Sequence, residues 1–176
     1  MRKDYKMKVK KIIEKTEIKD IEINGITLLS KEEYVKYKYL IPKVNSPWWL
    51  RLPNSIDSSI AGCVDNDGNA DINFGVNFSM GVSPALCISN VESSGFEIGD
   101  RFEWSGLTWI IISSDYAQCT NIIFKSVFRE DWEADNANDY ESSDVKKRLD
   151  EWFEQKIKEK KDDVECTVEG GLCHSN

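Results

Sequence analysis

The sequence predicts one α+β domain of short, mostly antiparallel strands with two main helices. Three observations predict it. Short apolar runs recur at residues 26–29, 60–64, 82–88 and 107–112, each closed by turn-forming residues. Residues 72–78 alternate, with Ile72, Phe74, Val76 and Phe78 against Asn73, Gly75 and Asn77, as a half-buried strand does. Val145, Leu149, Trp152, Phe153 and Ile157 recur at helical spacing. A chain of 176 residues, 40% hydrophobic and 31% charged, has the size and composition for one sizeable core.

In chain order, residues 1–19 form a basic arm with Val9, Ile12, Ile13 and Ile18 as its apolar side, expected as a solvated helix or frayed tail. Asn24-Gly25 signals a turn before a short strand at 26–29. Ser30-Lys31-Glu32-Glu33 is a capping box, so a helix starts there and runs through Tyr34, Val35 and Tyr37. Pro42 and Pro47 bracket a loop, and residues 48–52 have strand composition up to Pro53. Asp65-Asn66-Asp67-Gly68-Asn69 is turn chemistry, and Gly81 separates the alternating strand from the one at 82–88. Residues 89–95 are a polar linker between halves 20–88 and 96–168. Phe102-Glu103-Trp104, Ser105-Gly106 and residues 107–112 read as a tight hairpin, followed by a strand at 121–124. Ser142 or Ser143 caps the long helix, with Asp144 in its first turn. A short strand is expected at 165–168, ahead of a polar tail at 169–176.

Charge narrows the partners. Residues 1–20 hold eight Lys/Arg against four Asp/Glu, and the remainder holds fifteen against twenty-seven. An acidic body repels phosphates, so no direct nucleic-acid binding is expected outside the arm. No apolar run approaches the ~20 residues that span a bilayer, and the start carries no secretory leader, so no membrane contact is expected. Five cysteines without a C-x-x-C pair suit a reducing, cytoplasmic setting. Cys166, Cys173 and His174, the sole histidine, amount to half a metal site, and no metal or cofactor is expected. Asp65, Asp67, Asn69 and Asp71 alternate as in a calcium loop. Their glycine falls at the fourth position and Val76 stands where the closing Glu belongs, which favours a plain turn. No nucleophile–base pair or phosphate-binding loop stands out, so no catalytic residue is assigned.

Two features suggest a binding surface. Trp48 and Trp49 are adjacent in a strand, so one is expected to point outward beside Arg51. Glu130, Asp131, Glu133, Asp135, Asp139, Glu141 and Asp144 form a run of acids with no base among them. Such a run is either a solvated loop or a phosphate-like array that fits a basic groove.

Trp48-Trp49-Leu50-Arg51-Leu52-Pro53, Ala61, Val64, Asp67-Gly68, Val76 and Gly81-Val82-Ser83-Pro84-Ala85-Leu86 together resemble a family of uncharacterised domains from Firmicutes and their phages. Its signature is W-W-L-R-S-P followed by G-V-R-P-A-L. Leu28-Leu29-Ser30-Lys31-Glu32-Glu33 resembles the segment that precedes that signature. Ile98-Gly99-Asp100-Arg101-Phe102, Trp109 and the helix from Ser143 resemble the family's opening hairpin and helix. Ser83 replaces the family's Arg and Leu52 its Ser, which leaves any site built on that arginine without it. The resemblance implies a C-type-lectin-like fold, related to formylglycine-generating enzymes. The two halves stand in reversed order here, as in a circular permutation. Segments 82–88 and 98–104 are then expected as adjacent antiparallel strands. The rival arrangement is a domain-swapped homodimer of half-domains.

The function expected is a non-catalytic binding module that presents loops to a protein partner, with a glycan as the alternative ligand. The second reading is an acidic, phage-type inhibitor of a host nucleic-acid-binding or defence protein, anti-CRISPR-like in its mimicry of nucleic acid. An enzyme ranks last.

Overall fold

Two mostly antiparallel sheets and one long helix make up the computed structural model, which describes residues 7–10, 20–52 and 57–168. In the first sheet the strands lie in the order β1 (Met7–Lys10), β2 (Asp20–Thr27), β7 (Ala85–Ser89), β10 (Tyr116–Cys119), β9 (Leu107–Ile111) and β8 (Arg101–Trp104). In the second the order is β11 (Phe124–Val127), β6 (Ser79–Val82), β3 (Trp48–Trp49), β4 (Ile60–Val64) and β5 (Ile72–Gly75), with one parallel pair, β3 on β6. The helices are α1 (Lys31–Tyr37), the single turn α2 (Val91–Ser94) and α3 (Asp144–Val168). The α+β class of short, mostly antiparallel strands is therefore observed.

The start signals act as written. The Ser30 hydroxyl accepts the Glu33 N–H at 3.1 Å, and the Glu33 carboxylate accepts the Ser30 N–H at 2.8 Å. Ser143 opens α3 by accepting the Lys146 N–H at 3.1 Å. The β8–β9 hairpin turns at Ser105-Gly106, both at positive φ as a two-residue turn demands.

Several expectations need correction. Within the arm, Met7–Lys10 pairs with β2, so the boundary expected at residue 19 does not detach the arm from the sheet. Asn24-Gly25 is no turn. It is an irregularity inside β2, where the register with β7 shifts. Residues 165–168 end the long helix and form no strand. The strand expected at 121–124 lies at Phe124–Val127. The strand expected at 82–88 is divided: Gly81 does not break the chain but lies in β6, which ends at Val82 in the second sheet, and β7 begins at Ala85 in the first, where β10 and β9 separate it from β8. The residue pattern of β10, Tyr-Ala-Gln-Cys, carries little strand signal, yet it pairs with both β7 and β9. Residues 90–95 hold a helical turn whose Val91 and Ser94 are buried, where a polar linker was expected.

α3 closes the core. Phe153 and Ile157 pack with Trp104 and Trp109 on one face of the first sheet. Val145 and Leu149 pack with Trp49 and Phe128 on the second sheet, and Trp152 touches both groups. A third cluster around Trp48, Tyr34 and Ile112 fills the opposite faces under α1. Of the helical stripe, Val145, Leu149, Phe153 and Ile157 are buried and Trp152 partly so, and they divide between clusters because α3 spans the two sheets.

Candidate functional site

The outward tryptophan is absent. Trp48 and Trp49 do face opposite ways, but both faces of their sheet are covered, and they are 3% and 0% exposed. Trp49 donates its indole N–H to the Ser126 carbonyl at 2.9 Å, and Trp48 meets the Tyr34 ring edge-on. Arg51 is half-buried and turned inward. Its Nε donates to the Leu28 carbonyl at 3.0 Å and its Nη2 to the Glu33 carboxylate. Trp48, Trp49 and Arg51 therefore join β3 to α1, β4 and β11 and offer no ring to a partner.

Burial alone would raise the Glu33 pKa, but the Ser30 N–H and the Arg51 charge outweigh it and hold the carboxyl below its usual value. A folded pKa below the unfolded one contributes stability above the unfolded value, and that stability is lost as pH falls through the folded value. Glu33→Gln is expected to destabilise the fold clearly near pH 7 and by less at a pH well below the usual carboxylate range, where protonation removes the charge that the Ser30 N–H and Arg51 favour. Urea unfolding at the two pH values measures this, and an equal loss at both would show that the charge contributes nothing.

The acidic run is different. Arg129 pins it from within, donating through Nε to the Ala137 carbonyl at 2.9 Å and through Nη2 to the Ser142 hydroxyl at 2.5 Å. The Asp144 carboxylate accepts the Glu130 N–H at 2.8 Å, which staples the loop's start to the helix that follows it. Asn138 donates to the Ile60 carbonyl at 3.1 Å, and Ala137 and Tyr140 are buried as anchors. With its base held, the loop turns Glu130, Asp131, Glu133, Asp135, Asp139 and Glu141 to solvent. None of these takes part in an ion pair among the described residues.

In the middle of that run Trp132 is 50% exposed. Two more exposed aromatics lie near the start of the loop. The Arg129 N–H donates to the Val76 carbonyl at 2.9 Å, so the loop leaves the sheet beside the β5–β6 turn. That turn carries Phe78, which is 58% exposed and edge-on to Phe74, with ring centroids 6.2 Å apart. The alternating pattern over 72–78 placed these two rings with Ile72 and Val76, on the buried face. Ile72 and Val76 pack inward as expected, but β5 ends at Gly75 and is an outer strand, so the rings at 74 and 78 stay in water. A tryptophan with acids on both sides and no apolar periodicity was the one signal that could have revealed Trp132.

The remaining candidates are structural. Asp65 Oδ1 accepts the N–H groups of Asp67 and Asn69, both at 2.9 Å, and its Oδ2 accepts Asn69 Nδ2, as a closing turn requires. Asp71 pairs with Lys31 at 2.7 Å. Cys63 and Cys119 are buried free thiols, and burial pushes them up to about 12 and about 11, far from the reactive range. Cys173, His174 and the side chain of Cys166 lie outside the described residues. Ser83, in place of the family's arginine, is buried against Gln118, which donates to its hydroxyl at 2.9 Å. No helix among the described residues is long and apolar enough to cross a membrane.

No protein-family model matches the chain, and no curated protein or solved structure is significantly similar to it.

Proposed function

We propose that the protein is a non-catalytic interaction module that docks on a cationic protein surface through the loop from Arg129 to Ser143. One observation carries the proposal. The loop is held at its base by Arg129, Asn138 and Asp144, while its carboxylates and Trp132 face water. Exposed acids steer encounter with a basic partner, and a half-exposed aromatic among them supplies the desolvated contact that holds it. The module works by presenting loops, as the lectin-like resemblance implies. The strand order lends no support to the permuted arrangement. A reducing, cytoplasmic setting fits the free thiols. A host nucleic-acid-binding or defence protein has the kind of basic surface that this loop complements, so inhibition of such a protein is the form of the function we favour.

Affinity capture from a Firmicute lysate, with wild-type bait and with bait carrying Asp131→Asn, Glu133→Gln and Asp135→Asn, tests this. The expected partner is retained by wild type alone. Its association rate is expected to fall about tenfold on neutralisation, and also as salt screens charges over ~10 Å at 0.1 M. Stability should move by less than ~1 kcal/mol, because exposed loop charges contribute little to folding. Equal capture by both baits would reject the acidic surface.

A further inference from the structure

The two sheets end in four outer strands among the described residues: β1 and β8 in one, β11 and β5 in the other. Outer strands invite pairing with another chain, and proteins guard them with charge. β1 carries Lys8 and Lys10, β8 carries Arg101 and Glu103, and β11 carries Lys125. β5, Ile72-Asn73-Phe74-Gly75, carries none.

Its hydrogen bonds can be assigned. The Val76 N–H donates to the Ser59 carbonyl at 2.9 Å, so in this antiparallel pair the bonds to β4 fall at 76, 74 and 72. The amides of Asn73 and Gly75 then point away from the sheet. The Gly75 carbonyl is used by the Phe78 N–H at 3.0 Å. Among the described residues, the Asn73 N–H and C=O and the Gly75 N–H are left for an incoming strand, flanked by the exposed rings of Phe74 and Phe78.

We infer that β5 is a docking edge for an extended, Lys- or Arg-bearing segment of the partner, which adds as a further strand. The inference rests on the function proposed above and names the form of the element recognised. Charge selects this occupant. Asn138 of the acidic loop bonds to the Ile60 carbonyl, and Ile60 is paired with Gly75, so the loop lies one strand from the edge. An added strand would lie about two strand spacings, ~10 Å, from β4, within reach of the loop's negative field at moderate salt, which favours cations. A second copy of this chain would bring its own acidic loop to the same place and be repelled.

The probe is a peptide of alternating Val and Lys, about six residues long, the usual strand length. Titrated to about 1 mM against the full chain, it should shift the Asn73 and Gly75 amide resonances and protect them from exchange. Methylating the alternate peptide nitrogens that face β5, which removes its strand-pairing donors and leaves its charge, should weaken binding at least about tenfold. Asn73→Pro should do the same, since proline is tolerated where an edge N–H faces water. The methylated peptide keeps the test open if that variant misfolds. No binding, or binding indifferent to methylation, overturns the strand-addition inference and leaves the acidic surface standing if the triple neutralisation still abolishes partner capture. Tight methylation-sensitive binding with an unchanged neutralised bait supports the edge and overturns the function proposed above. A wild-type dimer dissolved by Asn73→Pro would show that the occupant is a second copy.

Discussion

Trp109→Ala is expected to cost ~3–5 kcal/mol, a large share of the ~5–15 kcal/mol that holds a typical domain. Trp109 is fully buried, its ring lies edge-on to Trp104 with centroids 6.0 Å apart, and its indole N–H donates to the Trp104 carbonyl at 3.0 Å. Truncation removes one of the two buried tryptophans of the hairpin, opens a cavity beneath α3 and strands a buried carbonyl. Trp152 makes the informative comparison. From its place in the helix pattern it is as central as Trp109, yet it is only partly buried and lines an open groove between α3 and β11. Trp152→Ala is therefore expected to cost ~1–2 kcal/mol. Urea unfolding of the two variants measures the difference. A loss below ~1 kcal/mol for Trp109→Ala would show that the hairpin is peripheral to the core.

Gly81→Ala is expected to cost ~1–3 kcal/mol although it adds a single methyl group. Gly81 sits where β6 runs parallel to β3, and its N–H donates to the Pro47 carbonyl at 2.8 Å. A Cβ there would meet that same oxygen at 2.9 Å and Ile122 Cδ1 at 2.7 Å. The isoleucine can turn aside, but the carbonyl is held by the hydrogen bond that defines the pair. Gly25→Ala is the control, because its Cβ meets only the Cys87 sulfur at 4.0 Å. That change should be neutral or stabilise by ~0.4–1 kcal/mol through the unfolded chain. Similar losses at both positions would mean that backbone freedom, and not the close approach to Pro47, sets the requirement for glycine at 81.

Local chemistry made part of the molecule legible in advance. The capping box at Ser30, the Asp65–Asn69 turn and the Ser105-Gly106 hairpin rest on contacts within a few residues, and the apolar stripe of α3 shows as helical spacing, so the chain displays them without reference to anything distant. The acidic run was visible for the same reason, since a charge density is a property of the sequence itself. Strand neighbours were not. β10 pairs with β7 and β9 through backbone groups that every residue carries, and a Tyr-Ala-Gln-Cys segment announces nothing about its place between them. Side-chain exposure was no more visible. Two adjacent tryptophans must face opposite ways on any strand, but whether one of them meets water depends on what covers the second face. Here the cover on the Trp48 side comes from Tyr34 of α1, and the cover on the Trp49 side from Phe128 beyond β11. Phe74 and Phe78 show the converse: they continue an inward pattern and stay exposed because the sheet ends at β5. The sequence by itself determined the class of fold, the helix starts and the acidic character of the loop, because these follow from short-range propensity and composition. Tertiary structure alone decided which aromatics reach solvent, because burial depends on long-range packing between strands that no local pattern specifies.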